Sequence, residues 1–447
     1  MATPELDAKF TFIKEGLAYI LVPKDAQTSV DPKSKSSGET QPQSVFYNPI
    51  QQFNRDLSVL AIRAYGEDLI GVKTAKAERS RAGKRRKGKK SQHEVPSTVA
   101  SDAHTLPSED SVNPVVESNK LKRTSEDADL QEPEDAQSGK RLKEGEIENT
   151  NGTTSTAATD VRMERASGED SIEVAPRTRI VPTIKFKVLD ALSATGLRAL
   201  RYSHELPFVT HVTANDLSAE ATKSIQANVT YNKLEDKIKV VTGNALIHMY
   251  SLVNLHTARG PKDNLDKYDV VDLDPYGTAG PFLDASIQAI NDGGLLCVTC
   301  TDAAIFASVG YPEKTYAQYG GMPIKGLHSH EGGLRLILHS IATTAARYGM
   351  SIEPLLSLSI DFYARVFVRV FRSPAEVKFL AGKTMLVYSC DSGCGAWQTQ
   401  YIGRYSSKLA KDGIPIYSHG MAQGPTASTF CEHCGFKTHV SVNGGAG

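Results

Sequence analysis

The chain has 447 residues, 40% of them hydrophobic, enough for two or three domains with sizeable cores. It lacks the run of about 18 apolar residues that a membrane helix requires, and its first residues carry acids without the charged-then-apolar order of a secretory signal, so a soluble, non-exported protein is expected. With six cysteines, and with 51 basic residues balanced by 51 acidic ones, neither a disulfide scaffold nor a uniformly basic nucleic-acid binder fits, and a polyanionic partner has to be held by local patches.

In chain order, FTFIKEGLAYILVP alternates apolar residues on either side of Glu15-Gly16 and predicts a hairpin or a pair of strands. A short polar insertion follows, over about 28–43. NPIQQFNRDLSVLAIRAYGED predicts a helix with Asn48 as cap, Pro49 in the first turn and an apolar stripe of Phe53, Leu57, Leu60 and Ala64. On that pattern Arg55 and Asp56 read as a solvated charge pair on another face.

Residues 76–180 contain no Phe, Trp or Tyr and predict a disordered insertion, because so little apolar surface cannot offset the entropy of ordering. Its first part, 76–90, carries nine Lys/Arg and one acid, whereas 91–180 carries ten basic and nineteen acidic residues. The run KRRKGKK (84–90) reads as a solvated charge run, a nuclear import signal or a flexible arm on RNA phosphates; with KRLK following at 140–143, import is favoured.

Beyond it, apolar β-branched segments alternate with amphipathic ones: IKFKVLDAL, TGLRALRYSHEL, VTHVTANDL, SAEATKSIQANVTYNKL, IKVVTGNAL, YDVVDLDPYG, PFLDASIQAI and GGLLCVTCTD. This is the pattern of a parallel sheet covered on both faces, which binds ligands at the carboxyl ends of its strands. HEGGLRLILHSIATTAARYG then predicts a helix, and IEPLLSLSIDFYARVFVRVFRS one or two late strands.

Four strand ends carry the candidate chemistry. After the first, Ser193, Ala194 and Gly196 form a small-residue loop ahead of a helix, room for a nucleotide-like ligand to approach the backbone, although the stretch lacks GxGxxG. Asp216 ends the second and reads either as an acceptor for ribose hydroxyls or as a helix N-cap. Asn244-Ala245 stand where an adenine edge would lie, so the three ends together have the layout of an adenosine pocket. Asp274-Pro275-Tyr276-Gly277 then falls beside the reactive end of such a cofactor. A carboxylate and a constrained carbonyl accepting the two N–H bonds of an aromatic amine pull its nitrogen toward tetrahedral geometry, Tyr276 offers a stacking face, and Gly277 leaves room for the ring. The bland alternative is a Pro-Gly turn.

Near the C-terminal end, Cys390-x3-Cys394 and Cys431-x2-Cys434, each pair followed by glycine, predict a tetrahedral structural zinc, with His433 and His439 nearby as less favoured ligands. Cys297 and Cys300 lie in a strand, where an offset of three points them to opposite faces, and are expected in the core.

The pieces EGLAYILVP, VFYNPIQQFNRDLSVLAIRAYGED, LDALSATGLRALRY, TANDLS, DVVDLDPYGTAGPF, LLCVTCTDAAIFA and the C-terminal cysteine pairs resemble the S-adenosylmethionine-dependent tRNA guanine-26 N2,N2-dimethyltransferases. The resemblance implies an α/β protein with a Rossmann-like seven-stranded methyltransferase domain (181–380, with 1–75 as its N-terminal part) and a smaller zinc-containing α+β domain over 381–447, continued in the family beyond VNGGAG. It implies S-adenosyl-L-methionine contacts at Arg55, Arg198, Asp216, Asn244 and Ala245, replacing the solvated reading of Arg55 by a cation for the methionine carboxylate. Asp274, Pro275 and Tyr276 look like the catalytic turn, tRNA like the partner, and the nucleus like the location, with a mitochondrial pool also open although no presequence is evident. Two other readings stand beside this one: an adenine N6 methyltransferase and a catalytically silent tRNA-binding protein.

Overall fold

The computed structural model describes residues 9–24, 47–90, 184–253, 267–390 and 392–444. The described parts of Met1–Lys87 and Pro182–Gly447 form one compact unit.

Strands β3 (Lys187–Asp190), β4 (His211–Asp216), β5 (Ile238–Thr242), β6 (Tyr268–Leu273), β7 (Ile290–Cys300), β8 (Met350–Ile360) and β9 (Tyr363–Arg372) form a seven-stranded sheet in the order β5-β4-β3-β6-β7-β9-β8. The first five are parallel; β9 runs antiparallel to both β7 and β8. Burial on both faces explains the composition: every residue of β6 is buried, and β9 is buried from Tyr363 to Val368. The edge strand β8 shifts register between Pro354 and Leu356, a place that tolerates proline because no inner partner needs its missing N–H.

Helices α1 (Gln52–Lys90), α2 (Leu197–Glu205) and α3 (Ala219–Tyr231) share one core with β3, β4 and the N-terminal strands, built from Ile20, Val59, Ile62, Leu200, Ile225 and Val229. Helices α4 (Ala245–Ser251), α5 (Leu283–Ala289), α6 (Pro312–Tyr319) and α7 (Ser329–Ala346) build the other, around Met249, Leu283, Tyr319, Leu336 and Ile341. Cys297 belongs to the first core and Cys300 to the second, both buried, as their offset in the strand requires. Sequence periodicity placed GNAL in a strand, but β5 stops at Thr242 and α4 begins at Ala245. The late segment resolves into two strands, β8 and β9.

Strands β1 (Phe10–Glu15) and β2 (Ala18–Pro23) form the expected hairpin. Side-chain amides of α3 grip β2 as a neighbouring strand would: Leu21 N donates to Asn228 Oδ1 (2.8 Å), Tyr19 N to Asn232 Oδ1 (3.0 Å), and Asn232 Nδ2 to Tyr19 O (2.7 Å). C-terminal to the sheet, β10 (Thr384–Ser389) pairs with β11 (Trp397–Tyr401) and β14 (His439–Gly444), and β12 (Gly403–Leu409) with β13 (Pro415–Met421).

Helix α1 overturns three expectations. Phe53 and Leu60 of the expected apolar stripe are more than half exposed, while Asn54, Arg55, Ser58, Val59, Ile62 and Tyr65 are buried. The buried face is selected by polar groups with dedicated partners, which periodicity of apolar residues does not register. Arg55 and Asp56 are accordingly no solvated pair: Arg55 grips Glu15 through Nε (2.7 Å) and Nη2 (2.5 Å), and Asp56 pairs with Arg201 at 2.5 Å. The helix also continues to Lys90, into the stretch from Lys76 expected to lack structure. The rest of that insertion, 91–180, and the short one at 28–43 lie outside the described residues.

Glu15 is the hub between the hairpin and the rest, bonded by Arg55 and by Arg201 (2.9 Å). Burial pushes its carboxyl pKa up, but the two guanidinium groups more than offset this and hold it below its ordinary value of 4.5. A folded-state pKa below the unfolded one stabilises the fold above the unfolded value, and that contribution is lost as pH falls through the folded value. The unfolding free energy of the wild type should therefore drop as pH falls below about 4.5, and that of Glu15→Gln should drop less steeply; parallel curves in denaturant titrations would contradict the assignment.

Candidate active site and cysteine cluster

From β3 the chain crosses to β4 and β5, whereas β6 leads the other way to β7. The crevice between the carboxyl ends of β3 and β6 is thus the switch point where open α/β sheets take ligands.

At the end of β3, Asp190 Oδ2 accepts from the Ser193 hydroxyl (2.6 Å), while its Oδ1 is buried without a hydrogen-bond partner. Burial, reinforced by the neighbouring Asp272 carboxylate, pushes Asp190 up to about 7. The loop that follows holds Ala194 at φ +48° and Gly196 at φ +78°. Gly196 is required for a second reason, since a Cβ there would stand 2.9 Å from Ile225 Cγ2.

Asp216 anchors this loop: Oδ2 accepts from Ala194 N (2.8 Å) and Oδ1 from Ser218 N (2.9 Å). The cap of α3 is Ser218, whose hydroxyl accepts from Ala221 N, so Asp216 is not the N-cap. Asn215, which sequence reading passed over, ties three strand ends together by donating to Ala191 O (3.0 Å) and Gly243 O (3.2 Å). Asn244 caps α4 by accepting from Leu246 N (2.8 Å), with Ala245 buried behind it.

Asp274 leaves β6 at the crevice with its side chain 23% exposed. One oxygen, Oδ2, takes Arg198 Nε (3.1 Å) and Nη2 (2.5 Å). Burial raises its pKa, but Arg198, then Arg365, outweigh it and hold the carboxyl below the usual range, anionic at neutral pH. Beneath it, Asp272 is wholly buried: Arg365 Nη2 lies 2.8 Å from Oδ1, Arg198 Nη1 3.6 Å from Oδ2, and the Tyr202 hydroxyl donates to Oδ2. Ser58 Oγ of α1 accepts from Arg198 Nη1 (2.9 Å) and from Arg365 Nη2 (2.8 Å). Sequence reading missed Asp272, Arg365, Ser58, Thr299 and Tyr202; the available signals were an arginine inside the apolar run YARVFV and an acid inside VVDL.

Past Pro275, Tyr276 is 78% exposed, and Gly277 turns at φ +80°. Gly277 N donates to Thr301 Oγ1 (2.8 Å) and Thr301 N to Gly277 O (2.9 Å), which pins the turn to the end of β7. The structure therefore gathers Asp274, Arg198 and the Ser193–Gly196 and Asp216 loops around one crevice. Arg55 is instead engaged by Glu15 and by Asn48 O (3.1 Å), leaving Nη1 outside those bonds.

The sulfurs of Cys390, Cys394, Cys431 and Cys434 all lie within 4.8 Å of one another, with 3.4 Å between Cys390 and Cys434 and 3.6 Å between Cys394 and Cys431. A tetrahedron with Zn–S bonds of about 2.3 Å has edges of about 3.8 Å, so the cluster has the size of a zinc thiolate site. Gly395 and Gly435 adopt φ of +72° and +76° and bond back to Cys390 O and Cys431 O, making two matching knuckles. Backbone N–H groups of Phe436 and Cys394 bring the Cys434 thiol down to about 6. Neither His433 nor His439 joins the cluster among the described residues.

The strand order, with an antiparallel strand inserted next to β7 and acids at the ends of β3, β4 and β6, defines a Rossmann-like methyltransferase fold. A family model for N2,N2-dimethylguanosine tRNA methyltransferase matches residues 20–443, and the chain belongs to that family. It is 40% identical over 433 residues to the mitochondrial tRNA (guanine(26)-N(2))-dimethyltransferase of Saccharomyces cerevisiae, covering 97% of this chain and 60% of that protein. Against the Homo sapiens tRNA (guanine(26)-N(2))-dimethyltransferase it is 35% identical over 396 residues, covering 88% of this chain and 48% of that protein. The chain thus spans 60% or less of the curated relatives' own length. Among solved structures, Trm1 from Pyrococcus horikoshii with S-adenosyl-L-methionine aligns at 28% identity and a TM-score of 0.43, covering 48% of this chain and 58% of that one.

Gly277→Ala meets open space but forces a Cβ into the left-handed region, at a cost of about 1–2 kcal/mol. Its unfolding free energy should fall by that amount in denaturant titrations, and an unchanged value would mean that the turn has relaxed elsewhere.

Proposed function

We propose that the chain transfers two methyl groups from S-adenosylmethionine to the exocyclic N2 of guanine 26 in tRNA. The observation that carries this reading is the pairing of a fixed, anionic Asp274 with an exposed Tyr276 at the switch point of the sheet. Family membership supports it.

The crevice fits the cofactor in its donor set. The left-handed Ala194 and Gly196 keep side chains off the loop, Asp216 retains acceptor capacity on both oxygens for ribose hydroxyls, and Asn244-Ala245 border the base. Arg55 supplies positive charge for the methionine carboxylate through Nη1, the nitrogen not bonded to Glu15 or Asn48. Arg198 acts on the other partner, through Asp274. When bound, the sulfonium supplies an activated methyl group, so the protein's task is mainly alignment.

Tyr276 stacks on the guanine, which places N2 against Asp274 and the Pro275 carbonyl. These two acceptors take the amine's N–H bonds, draw its lone pair out of the ring system and ease the loss of the proton. Because Arg198 occupies only Oδ2 of Asp274, Oδ1 is the oxygen that faces the amine. The first methylated product leaves one N–H for the same acceptor in a second round.

The cysteine cluster holds one zinc, in the reading its geometry supports, and the zinc ties β10, β11 and the Phe430–Phe436 loop together. For location, the basic run 84–90 supports import into the nucleus by a receptor for basic peptides.

Asp274→Asn should lower turnover with tRNA by about 10²-fold or more while keeping cofactor affinity. Asp216→Ala should weaken cofactor binding by about 1–3 kcal/mol. Labelled cofactor with tRNA and with DNA as substrates, together with calorimetry, measures both; transfer to DNA instead, or to neither, would point to another amino-group methyltransferase or to a silent RNA-binding protein. Elemental analysis of protein purified without chelator should give one zinc per chain, and chelation should unfold the C-terminal strands; metal-free protein with intact C-terminal strands would refute the zinc assignment.

A further inference from the structure

The catalytic carboxylate does not stand alone. Asp274 Oδ2 is taken by Arg198 of α2, and Thr299 of β7 lies near enough to the carboxylate to lower its pKa. Thr299 Oγ1 in turn accepts from Arg365 Nη1 of β9 at 2.8 Å. Arg365, whose side chain is fully buried, reaches Asp272 at 2.8 Å and Ser58 Oγ at 2.8 Å, and Ser58 returns to Arg198 at 2.9 Å. A closed circuit thus runs Arg198, Ser58, Arg365, Asp272 and back to Arg198, and Asp274 is held on it by Arg198.

Ordinary structural needs do not demand such a circuit. Arg365 pairs with Thr299 in register across β7 and β9, where an apolar side chain would fill the layer as Phe367 does two residues on. Buried ion pairs are weak contributors to stability compared with apolar replacements, because each charge loses its hydration. What the circuit provides is direction. Both guanidinium planes are fixed at several nitrogens, so Asp274 is held with Oδ2 inward. Ser58 brings the N-terminal helix into the same circuit, from the far side of the long insertion in sequence.

We propose that Arg365, with Ser58, is a positioning residue for methyl transfer: acting through Arg198, it sets the orientation of Asp274 toward the target amine. Neither residue faces substrate; both act through the groups that touch Asp274. The inference rests on the function proposed above, and its test includes a readout that does not need turnover.

The charged and titratable groups facing Asp274 are Arg198 of α2, Asp190 of β3, Asp272 of its own strand, Tyr276 of the turn, and Tyr363 and Arg365 of β9. Removing the Arg365 charge leaves acids in excess around the carboxylate, so its pKa rises and the acid limb of the rate profile moves to higher pH. In Arg365→Gln, kcat should fall by about 10²-fold, the scale of a misplaced reacting group, with the cofactor dissociation constant unchanged. Arg365→Lys, which keeps the charge and loses the fork, should restore the acid limb but not kcat. Ser58→Ala should lower kcat with cofactor binding intact, and it decides the matter if Arg365→Gln does not fold, as judged by thermal melting. Carbon NMR titration of the Asp274 carboxyl should show the upward shift in Arg365→Gln even without substrate. Folded variants with wild-type kcat and acid limb, a kcat loss matched by an equal loss of cofactor affinity, or an unmoved Asp274 titration would overturn the proposal. A wild type that methylates no tRNA while its Asp274 titration responds to Arg365→Gln would instead overturn the function and leave the positioning role standing.

Discussion

Two arginines and two aspartates, gathered where β6 leaves the sheet, set the terms for the rest of the molecule. Arg198, Arg365 and Asp272 lie together with almost no exposure to water, and Asp274, 23% exposed at the crevice, completes the group. Three desolvated charges persist only if each is met by an opposite charge, and loss of one partner from such a set costs about 3–5 kcal/mol. That requirement reaches outward. Tyr202 must direct its hydroxyl at Asp272, Thr299 must face Arg365 across two strands, and α1 must turn Ser58 inward although Phe53 and Leu60 are then left on the surface. A helix of the N-terminal segment and a strand near the end of the sheet are thereby committed to one point.

The same logic shapes the crevice. Loops at the strand ends carry polar backbone that needs partners, and three side chains supply them: Asp216 for the small-residue loop, Asn215 for the neighbouring carbonyls, Thr301 for the Asp-Pro-Tyr-Gly turn. A left-handed Ala194 beside Gly196 is tolerated because Asp216 takes the amide of Ala194 directly. The loops are therefore fixed before any ligand arrives, and alignment is the contribution this chemistry needs most.

At the C-terminal end the constraint is of another kind. Strands β12 and β13 are exposed along nearly their whole length and β11 at both ends, and the four sulfurs, brought together by two left-handed glycines, are a compact centre beside them. A small sheet with little apolar core is where a metal cross-link has most effect.

Much of this was legible in the chain itself. Alternation of β-branched and amphipathic segments gave a doubly covered parallel sheet, a C-x3-C and a C-x2-C pair gave the sulfur cluster, and the small-residue loop with acids at successive strand ends marked the crevice; each signal is read from residue types in short stretches of the chain. Local pattern also erred where burial was decided by distant partners: Arg55 read as solvated yet grips Glu15, forty positions away, and the stripe chosen for α1 faced outward. Arg365 and Ser58, 307 positions apart, carry no sequence mark of their pairing. An apolar residue announces its burial by its own chemistry, so the sequence alone determined the layers of the fold and the stations of the site. A buried charge is permitted only by the partner that meets it, and which arginine would neutralise which aspartate was decided only when the tertiary structure closed.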